Sequence, residues 1–314
     1  MADAVYSPIG QINSAGDEKA LFLKVFSGMV INTFDETNKM MDKHVVRSIA
    51  SGKSAQFPVL GTATAAYHVK GEDISPNGQE ILANEKIINI DNSLLAPVFI
   101  PSIDEAMNHY DVRAEYARKL AHELANRADK NLLQVAVLAA RASATLTGGN
   151  GGTVLTNAAY GTDGDVLAAG IFDAGQTFDE KDIPEDSQRF CALKPAQYNL
   201  LAQTTKVLNS DWNGAGSYSK GQVTEIDSIQ VIKSNHVPTS VIAGVTGENN
   251  TYSGTFTTTV GVCWHKNAVG TVKLQDLRSE SEYNMLQQGT WLLSKYIMGH
   301  GILQPECAVE LKTS

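Results

Sequence analysis

The stretch that decides the fold is SIDEAMNHYDVRAEYARKLAHELANRADKNLLQVAVLAA, residues 102–140. It opens with a capping box, in which Ser102 caps a helix and Glu105 follows in the first turn. Small or apolar residues then recur at helical spacing, at Ile103, Met107, Tyr110, Ala114, Ala117, Ala121, Leu124, Ala128, Leu132, Val135 and Leu138. The pattern predicts one helix from 102 to about 143, roughly 60 Å long and far longer than a usual globular helix.

Upstream of this helix, two β-type stretches flank a polar turn. The first lies within residues 44–70 and contains HVVRSI and FPVL, and the second lies within residues 80–91 and contains ILANEKIIN. Between them, Pro76-Asn77-Gly78 includes the Asn-Gly pair that favours a tight turn. The simplest interpretation is one long β-hairpin. Because such long arms are poorly stable alone, we expect the hairpin to need a partner surface.

The residues before this hairpin predict an arm. Asp17 can cap a helix that reads ALFLKVF at 20–26 and continues through Met29, Val30 and Phe34 at helical spacing. Polar residues follow at 35–43, where a core element would need a tight turn back into the protein. We interpret this segment as an amphipathic helix on a semi-detached arm.

Downstream of the long helix, residues 145–164 are rich in Gly, Thr and Asn and predict a flexible loop. A new unit begins near Asp165, with a second polar loop at 247–254, and the chain returns to strands from about Val260. The predicted elements of these parts are a helix at about 165–177, a strand at 189–193, a helix from Pro195, and strands at 226–233, 261–264, 270–274 and 291–303. This order indicates an α+β protein with an inserted central domain.

The composition is that of a folded, acidic protein. Its 314 residues are 43% hydrophobic and 19% charged, and its net charge is −9. A negative net charge opposes binding of nucleic acid over the whole surface, because the phosphate groups must be neutralised by clustered Lys and Arg. No apolar run reaches about 18 residues, and the start MADAVY shows no signal-peptide pattern. We therefore expect a protein made and kept in the cytoplasm, with no membrane partner. Cys191, Cys263 and Cys307 are widely spaced and odd in number, which predicts reduced core residues.

Patterns for catalysis or metal binding are weak. Gly52-Lys53-Ser54 matches the end of a phosphate-binding loop, but Arg47 stands where that motif requires glycine. His109 and His122 are more than three helical turns apart, so they cannot share a metal ion within one chain. The acidic run at 179–186 lacks EF-hand order, which favours a solvated loop over a metal site. We expect no catalytic residue, no cofactor and no metal.

Five stretches resemble the major capsid proteins of T-seven-like short-tailed double-stranded DNA bacteriophages: ALFLKVF (20–26), VRSIASGKSAQFPVLG (46–61), AMNHYDVRAEY (106–116), HKNAVGTVKL (265–274) and KYIMGHG (295–301). The resemblance covers roughly residues 17–310 and implies the Hong-Kong-type tailed-phage capsid fold. Its implied parts are an N-arm (1–45), an extended hairpin or E-loop (46–92), a P-domain with the spine helix (93–164), an inserted A-domain (165–260), and further P-domain strands (261–314).

The resemblance implies a shell-building virion subunit and no enzymatic activity. In this family, A-domains meet around five-fold and six-fold axes, as pentamers and hexamers of an icosahedral shell, while E-loops and N-arms overlap neighbouring subunits. The implied partners are scaffolding protein, portal protein and packaged double-stranded DNA, with assembly in the bacterial cytoplasm. The alternative is another phage structural protein, such as a decoration or tail-tube subunit. The expected contact residues are Arg47, Lys53, Phe57, Val59 and Leu60 on the E-loop, and Leu21, Phe22, Val25 and Phe26 on the N-arm.

The stretch 43–71, which includes the first part of the E-loop, is basic within an acidic chain. Residues 43–71 contain Lys43, Arg47, Lys53 and Lys70 and no acidic residue, so they carry +4 and leave −13 on the remainder of a chain whose net charge is −9. Three interpretations are open: the side chains are solvated, they dock on an acidic surface of an adjacent subunit, or part of them faces packaged DNA. We favour docking, because opposite charges would steer the hairpin before its apolar residues settle.

Overall fold

The computed structural model describes residues 40–61, 81–102, 112–204, 223 and 225–314, together with 63, 65, 67, 68, 70, 71 and 73. The predicted arm helix, the turn at Pro76-Asn77-Gly78 and the first turns of the predicted long helix lie outside the described residues. The expected N-arm contacts Leu21, Phe22, Val25 and Phe26 lie outside them as well, and they stay predictions.

Three helices and fourteen strands fall within the described residues. The helices are α1 (Val112–Ala140), α2 (Gly164–Glu180) and α3 (Pro195–Gln203). The strands before α1 are β1 (Val45–Ser48), β2 (Ser54–Leu60), β3 (Ala83–Asn89) and β4 (Leu94–Pro101). The strands after it are β5 (Thr153–Thr156), β6 (Arg189–Leu193), β7 (Glu225–Ile226), β8 (Ile229–Lys233), β9 (Val241–Ile242), β10 (Gly254–Thr255), β11 (Thr259–His265), β12 (Val269–Asn284), β13 (Gly289–Ile302) and β14 (Ala308–Lys312). Over these described helices, none is long and apolar enough to span a membrane.

The larger sheet has six strands in the order β5-β14-β11-β6-β8-β7. Its central strand β11 is buried along its whole length, and α2 contributes Leu167, Ile171 and Phe178 to the same core. The strand β11 pairs with β6, from the region predicted as the A-domain, and β14 pairs with β11, so one sheet contains strands from both sides of the boundary predicted near residue 260. The A-domain and P-domain boundaries stay a prediction.

The second sheet has four strands in the order β1-β12-β13-β4 and is built on the long β12–β13 hairpin. The helix α1 packs on both sheets. Ala117, Ala121 and Ala128 lie in one core with β13, whereas the part from Leu132 onward lies in the core of the larger sheet. The predicted apolar stripe is thus confirmed over the described side chains. The helix ends at Ala140, before the predicted end near 143.

The strands β2 and β3 form a two-stranded antiparallel hairpin, with Ser54 opposite Asn89 and Leu60 opposite Ala83. Our prediction that this hairpin also includes the run before Gly52 is wrong. The strand β1 instead pairs in parallel with β12, so it belongs to the four-stranded sheet. Gly52 redirects the chain between β1 and β2 with a φ of +124°, a conformation that glycine adopts readily.

Candidate assembly surfaces

The base of the hairpin rests on glycines of the four-stranded sheet. A Cβ atom added at Gly301 would lie 2.8 Å from the side chain of Ile88, and one added at Gly299 would overlap the carbonyl oxygen of Asn89. Glycine is therefore required for β3 to approach β13 this closely. Gly270 lies opposite Gly301 on β12 and also faces Ile88. The stretches HKNAVGTVKL and KYIMGHG, which carry the resemblance, thus supply the platform on which the hairpin rests.

A small apolar core fastens the hairpin to this platform. Ala55 and Ile88 of the hairpin and Ile90 just after it pack with Val272 and Leu303. Burial of each large side chain in such a core contributes roughly 1.5–3 kcal/mol. The backbone N–H of Ile90 also donates to the carbonyl oxygen of Lys53 at 2.9 Å, which closes the base of the hairpin. The hairpin is therefore held firmly at its base.

Farther from the base, the hairpin leaves apolar side chains in water. Leu60 is 72% exposed, and Ile81, Leu82 and Ile87 are 45–53% exposed. We call these four residues the hairpin strip. Leu60 pairs with Ala83, and Ile87 lies four residues after Ala83, so Leu60 and Ile87 point to the same face of the hairpin. A group of exposed apolar residues on one element is typical of an interaction surface.

The five expected E-loop contacts fall into an exposed set and a half-buried set. Arg47, Lys53 and Leu60 are exposed, whereas Phe57 and Val59 are half-buried. Arg47 donates through Nη1 to the carbonyl oxygen of Gln56 at 2.9 Å, and its guanidinium lies 5.5 Å from the centre of the Phe57 ring. The structure therefore brings Arg47 and Phe57 together across the β1–β2 turn, while Lys53 lies in the turn itself.

Lys43 is separate from that basic surface. Its Nζ atom pairs with the carboxylate of Asp42 at 3.2 Å and lies 5.3 Å from the centre of the Phe190 ring. Its carbonyl oxygen accepts a hydrogen bond of 3.1 Å from the indole of Trp264. Because Asp42 balances the charge of Lys43, the positive charge of the basic stretch 43–71 lies on Arg47, Lys53 and the exposed Lys70.

A cleft of about 230 Å³ lies where the hairpin meets the glycine-rich loop that follows α1. Its apolar lining comes from Val59, Leu60 and Leu82 of the hairpin and from Leu146 of the loop. Asn84 donates through Nδ2 to the carbonyl oxygen of Thr145 at 2.6 Å. The loop that the sequence marks as glycine-rich and polar is therefore in direct contact with the hairpin.

Our sequence reasoning missed a second exposed apolar group, at the turn between β12 and β13. Met285 is 74% exposed and Leu286 is 96% exposed. Side chains fix this turn: the backbone N–H of Leu286 donates to Asn284 Oδ1 at 3.0 Å, and Gln288 Nε2 donates to the carbonyl oxygen of Met285 at 2.9 Å. The available signal was a Met-Leu pair between Asn284 and Gly289, two residues typical of turns.

Two buried histidines lie in the core beside the hairpin platform. Burial lowers the pKa of His44 to about 4 and the pKa of His300 to about 3, so both rings are neutral near pH 7. His44 Nδ1 donates to the carbonyl oxygen of Met40 at 2.8 Å, and His300 Nδ1 lies 2.8 Å from the hydroxyl of Thr271. All three cysteines are buried, as predicted, and none of them is in a disulfide in this structure.

The acidic run at 179–186 forms the end of α2 and the turn after it. Two of its carboxylates contact cationic or basic groups of the same chain: Asp179 pairs with the buried Arg189 at 2.7 Å, and Asp186 lies 3.1 Å from His265 Nε2. Across the part of the chain that the structure describes, no three His, Cys, Asp or Glu side chains are placed to hold a metal ion.

A spine helix on two sheets, with the β2–β3 hairpin seated on the four-stranded sheet, defines a shell-building subunit of the tailed-phage capsid class. The sequence model of the Gp10A-like family, described as major capsid protein, matches residues 56–312. The chain belongs to this family. Its members are structural proteins and are not known to be enzymes.

Individual proteins that are similar to this chain are capsid proteins as well. The major capsid protein of Enterobacteria phage T3 is 35% identical over 325 residues, covering 95% of this chain and 93% of the relative. The major capsid protein of Escherichia phage T7 is 34% identical over 319 residues, covering 94% and 92%. The capsid structure of the cyanophage P-SCSP1u has a TM-score of 0.81 at 39% identity and covers 100% of this chain and 99% of that chain. The T-seven-like resemblance, the α+β capsid fold and the role of a homo-oligomeric virion subunit are confirmed.

Proposed function

We propose that this subunit assembles through pentamers and hexamers into the icosahedral head that encloses double-stranded DNA. The observation that carries the proposal is a hairpin fastened at its base by a small apolar core, with the hairpin strip exposed to water. In a protein that works as a shell of identical copies, a neighbouring copy is the natural cover for such a surface. Assembly takes place in the host bacterial cytoplasm, with scaffolding protein and portal protein as partners.

In this proposal the packaged DNA lies next to the subunit, as a passive neighbour that the subunit does not bind over a broad basic surface. The chain has a net charge of −9, and phosphate binding over a broad surface needs clustered Lys and Arg. Lys43, one of the four cations of the basic stretch 43–71, already pairs with Asp42. The three other cations of this stretch are Arg47, Lys53 and Lys70, too few to neutralise a phosphate backbone over a broad surface.

The contacts between copies come from two projecting segments. On the hairpin they involve Arg47, Lys53, Phe57, Val59 and Leu60, and on the arm they involve Leu21, Phe22, Val25 and Phe26. Stable permanent interfaces bury roughly 2,000 Å² or more. Projecting segments supply such an area because they cover a neighbour on more than one side. The arm and the hairpin therefore provide affinity that a flat edge contact lacks.

Arg47 and Lys53 orient the hairpin as it approaches the neighbouring subunit. Both side chains are exposed at the β1–β2 turn, next to Phe57 of the hairpin. They dock on an acidic surface of the adjacent subunit before the apolar residues settle, since opposite charges accelerate and orient association. This steering weakens as salt screens the charges.

The test is the double variant Arg47→Glu with Lys53→Glu. We expect scaffold-assisted assembly, followed by light scattering, to become several-fold slower at low salt, because two attractive charges become repulsive. The matched control is Arg118→Glu with Lys119→Glu, which makes the same charge change on the exposed face of α1. The control should assemble normally. Wild-type assembly rates for the hairpin variant at both low and high salt would reject the docking proposal.

A further inference from the structure

The loop from Val245 to Tyr252, which overlaps the polar loop predicted at 247–254, lies against the point where the hairpin returns to the body of the protein. Asn249 Nδ2 donates to the carbonyl oxygen of Ile90 at 2.6 Å, and Asn250 Nδ2 donates to that of Asn89 at 2.7 Å. The backbone N–H of Asn89 donates in turn to Asn250 Oδ1 at 3.1 Å. We call this set of contacts between residues 89–92 and the loop the hairpin joint.

Asp91 lies at the centre of the hairpin joint. Its Oδ1 atom accepts hydrogen bonds from the backbone N–H groups of Asn249 at 2.7 Å and Asn250 at 3.2 Å, and from Asn250 Nδ2 at 3.0 Å. Its Oδ2 atom accepts a hydrogen bond from the hydroxyl of the buried Tyr252. Burial raises the pKa of Asp91, and these donors act in the opposite direction by stabilising the carboxylate. One side chain thus organises the loop around it.

The loop also holds two other parts of the subunit. Glu248 accepts a hydrogen bond of 2.6 Å from Arg127 on the spine helix α1. The hydroxyl of Tyr252 accepts a hydrogen bond of 2.9 Å from the backbone N–H of His300 on β13. The hairpin base, the spine helix and the four-stranded sheet therefore meet at this one loop.

A small rotation at the hairpin joint would displace the far end of the hairpin by several ångströms. The seven residues of β3 extend roughly 20 Å from the base at about 3.3 Å per residue. A tilt of about 10° at the base would move the far end of such a strand by roughly 4 Å. A displacement of that size separates apolar side chains from a matching surface, because close packing is lost within about an ångström.

We propose that Asp91 is the positioning residue that fixes the direction of the hairpin relative to the rest of the subunit, with the loop from Val245 to Tyr252 acting as its clamp. The role of this direction in shell building rests on the proposed function. The fixing of the direction itself does not, because it is a property of the single subunit. The two can therefore be tested separately.

The experiment measures the hairpin direction in the full-length, unassembled subunit. Spin labels are placed at Leu60→Cys on the hairpin and Phe172→Cys on α2, two exposed positions, and the three native cysteines are buried. Double electron–electron resonance then gives the distribution of distances between the labels. The wild-type background should show one narrow distribution, whereas Asp91→Ala and the milder Tyr252→Phe should broaden or shift it.

The matched control is Asp163→Ala. Asp163 Oδ1 also accepts two backbone N–H groups, from Asp165 at 2.9 Å and Val166 at 3.4 Å, but it caps α2 and lies outside the joint. This control should leave the distribution narrow. A narrow, unshifted distribution in Asp91→Ala would overturn the proposal, and if that variant does not fold, the same result in Tyr252→Phe would overturn it.

Assembly assays separate this inference from the proposed function. Broadened distances together with defective shells support both. Broadened distances with shells of wild-type yield and curvature would support the joint and contradict the role of the hairpin in assembly. Unchanged distances overturn the joint whatever the assembly result.

Discussion

Arg141 and Glu310 form a two-pronged ion pair that joins the end of the spine helix to the last strand. Arg141 Nε and Nη2 each donate to one carboxylate oxygen of Glu310 at 2.6 Å. The hydroxyl of Thr259 also donates to Glu310 at 2.6 Å, and Arg141 Nη1 donates to the carbonyl oxygen of Thr255 at 2.6 Å. Glu310 is fully buried. The pair therefore fixes the end of α1 to the six-stranded sheet, with the carboxylate buried and the guanidinium partly exposed.

Removal of the cation from this pair should destabilise the subunit. In Arg141→Ala the buried carboxylate of Glu310 loses its cationic partner, and we expect the free energy of unfolding to fall by about 1.5–3 kcal/mol. Arg141→Lys should lie between the wild type and Arg141→Ala, because lysine cannot make the paired geometry. Urea unfolding of the unassembled subunit measures both. The control Lys119→Ala, on the exposed face of the same helix, should change stability by less than about 0.5 kcal/mol. Equal effects for Lys119→Ala and Arg141→Ala would contradict the assignment.

The buried stripe of the spine helix should not tolerate charge. Ala121 and Ala128 are fully buried against β13, so Ala121→Arg or Ala128→Arg would force an unpaired cation into the core. We expect loss of several kcal/mol, insoluble protein and no particles. The control is His122→Arg, one position along the helix on its exposed side, which should give normal particle yield. Normal yield from either alanine variant would show that the helix phase is wrong.

The platform beneath the hairpin should require glycine. In Gly299→Ala the new methyl group overlaps the carbonyl oxygen of Asn89, so β3 must move away from β13. We expect faster amide hydrogen exchange in residues 83–90 and slower assembly, with the six-stranded sheet unaffected. Gly244→Ala is the control, since its Cβ atom would meet only Ser253 at 3.9 Å. An unchanged exchange rate for residues 83–90 in Gly299→Ala would show that β3 does not pack closely on Gly299.

The buried histidines should make stability fall in mild acid. Burial lowers the folded-state pKa of His44 to about 4 and of His300 to about 3, below the ordinary value of 6.5. The unfolded chain therefore takes up protons first, and stability that is full above pH 6.5 is lost as the pH falls toward the folded values. Each histidine contributes a loss of roughly 2 kcal/mol between pH 7 and pH 5. Urea midpoints of His300→Gln should show a shallower pH slope, while the exposed His122→Gln should keep the wild-type slope. An unchanged slope in His300→Gln would contradict this account.

The parts of the fold that the sequence predicts are those with local patterns. The stripe of Ala117, Ala121 and Leu124 repeats at the helical period, so the sequence alone identifies the spine helix and its buried face. The pairing of β2 with β3 follows from two β-type runs that are close in sequence. The resemblance then supplies the family, because short motifs are matched at both ends of the chain.

The parts that the sequence could not predict depend on contacts between distant segments. The strand β1 pairs with β12 more than 200 residues away, and no local pattern distinguishes that pairing from continuation of the hairpin. The strand β11 is buried on both faces, so it lacks the alternation that would assign it to a sheet. The roles of Gly299 and Asp91 arise from a close backbone approach and from a loop about 160 positions away. Such roles appear only once the chain is folded.

The most direct test of the central claim is electron microscopy of the full-length protein expressed with the scaffolding protein of its phage. Assembly as a head subunit predicts closed shells of uniform curvature, in which a neighbouring copy covers Leu60 and Ile87 of the hairpin strip. Open tubes or isolated monomers under the same conditions would contradict the account, and so would closed shells in which those two side chains stay in water.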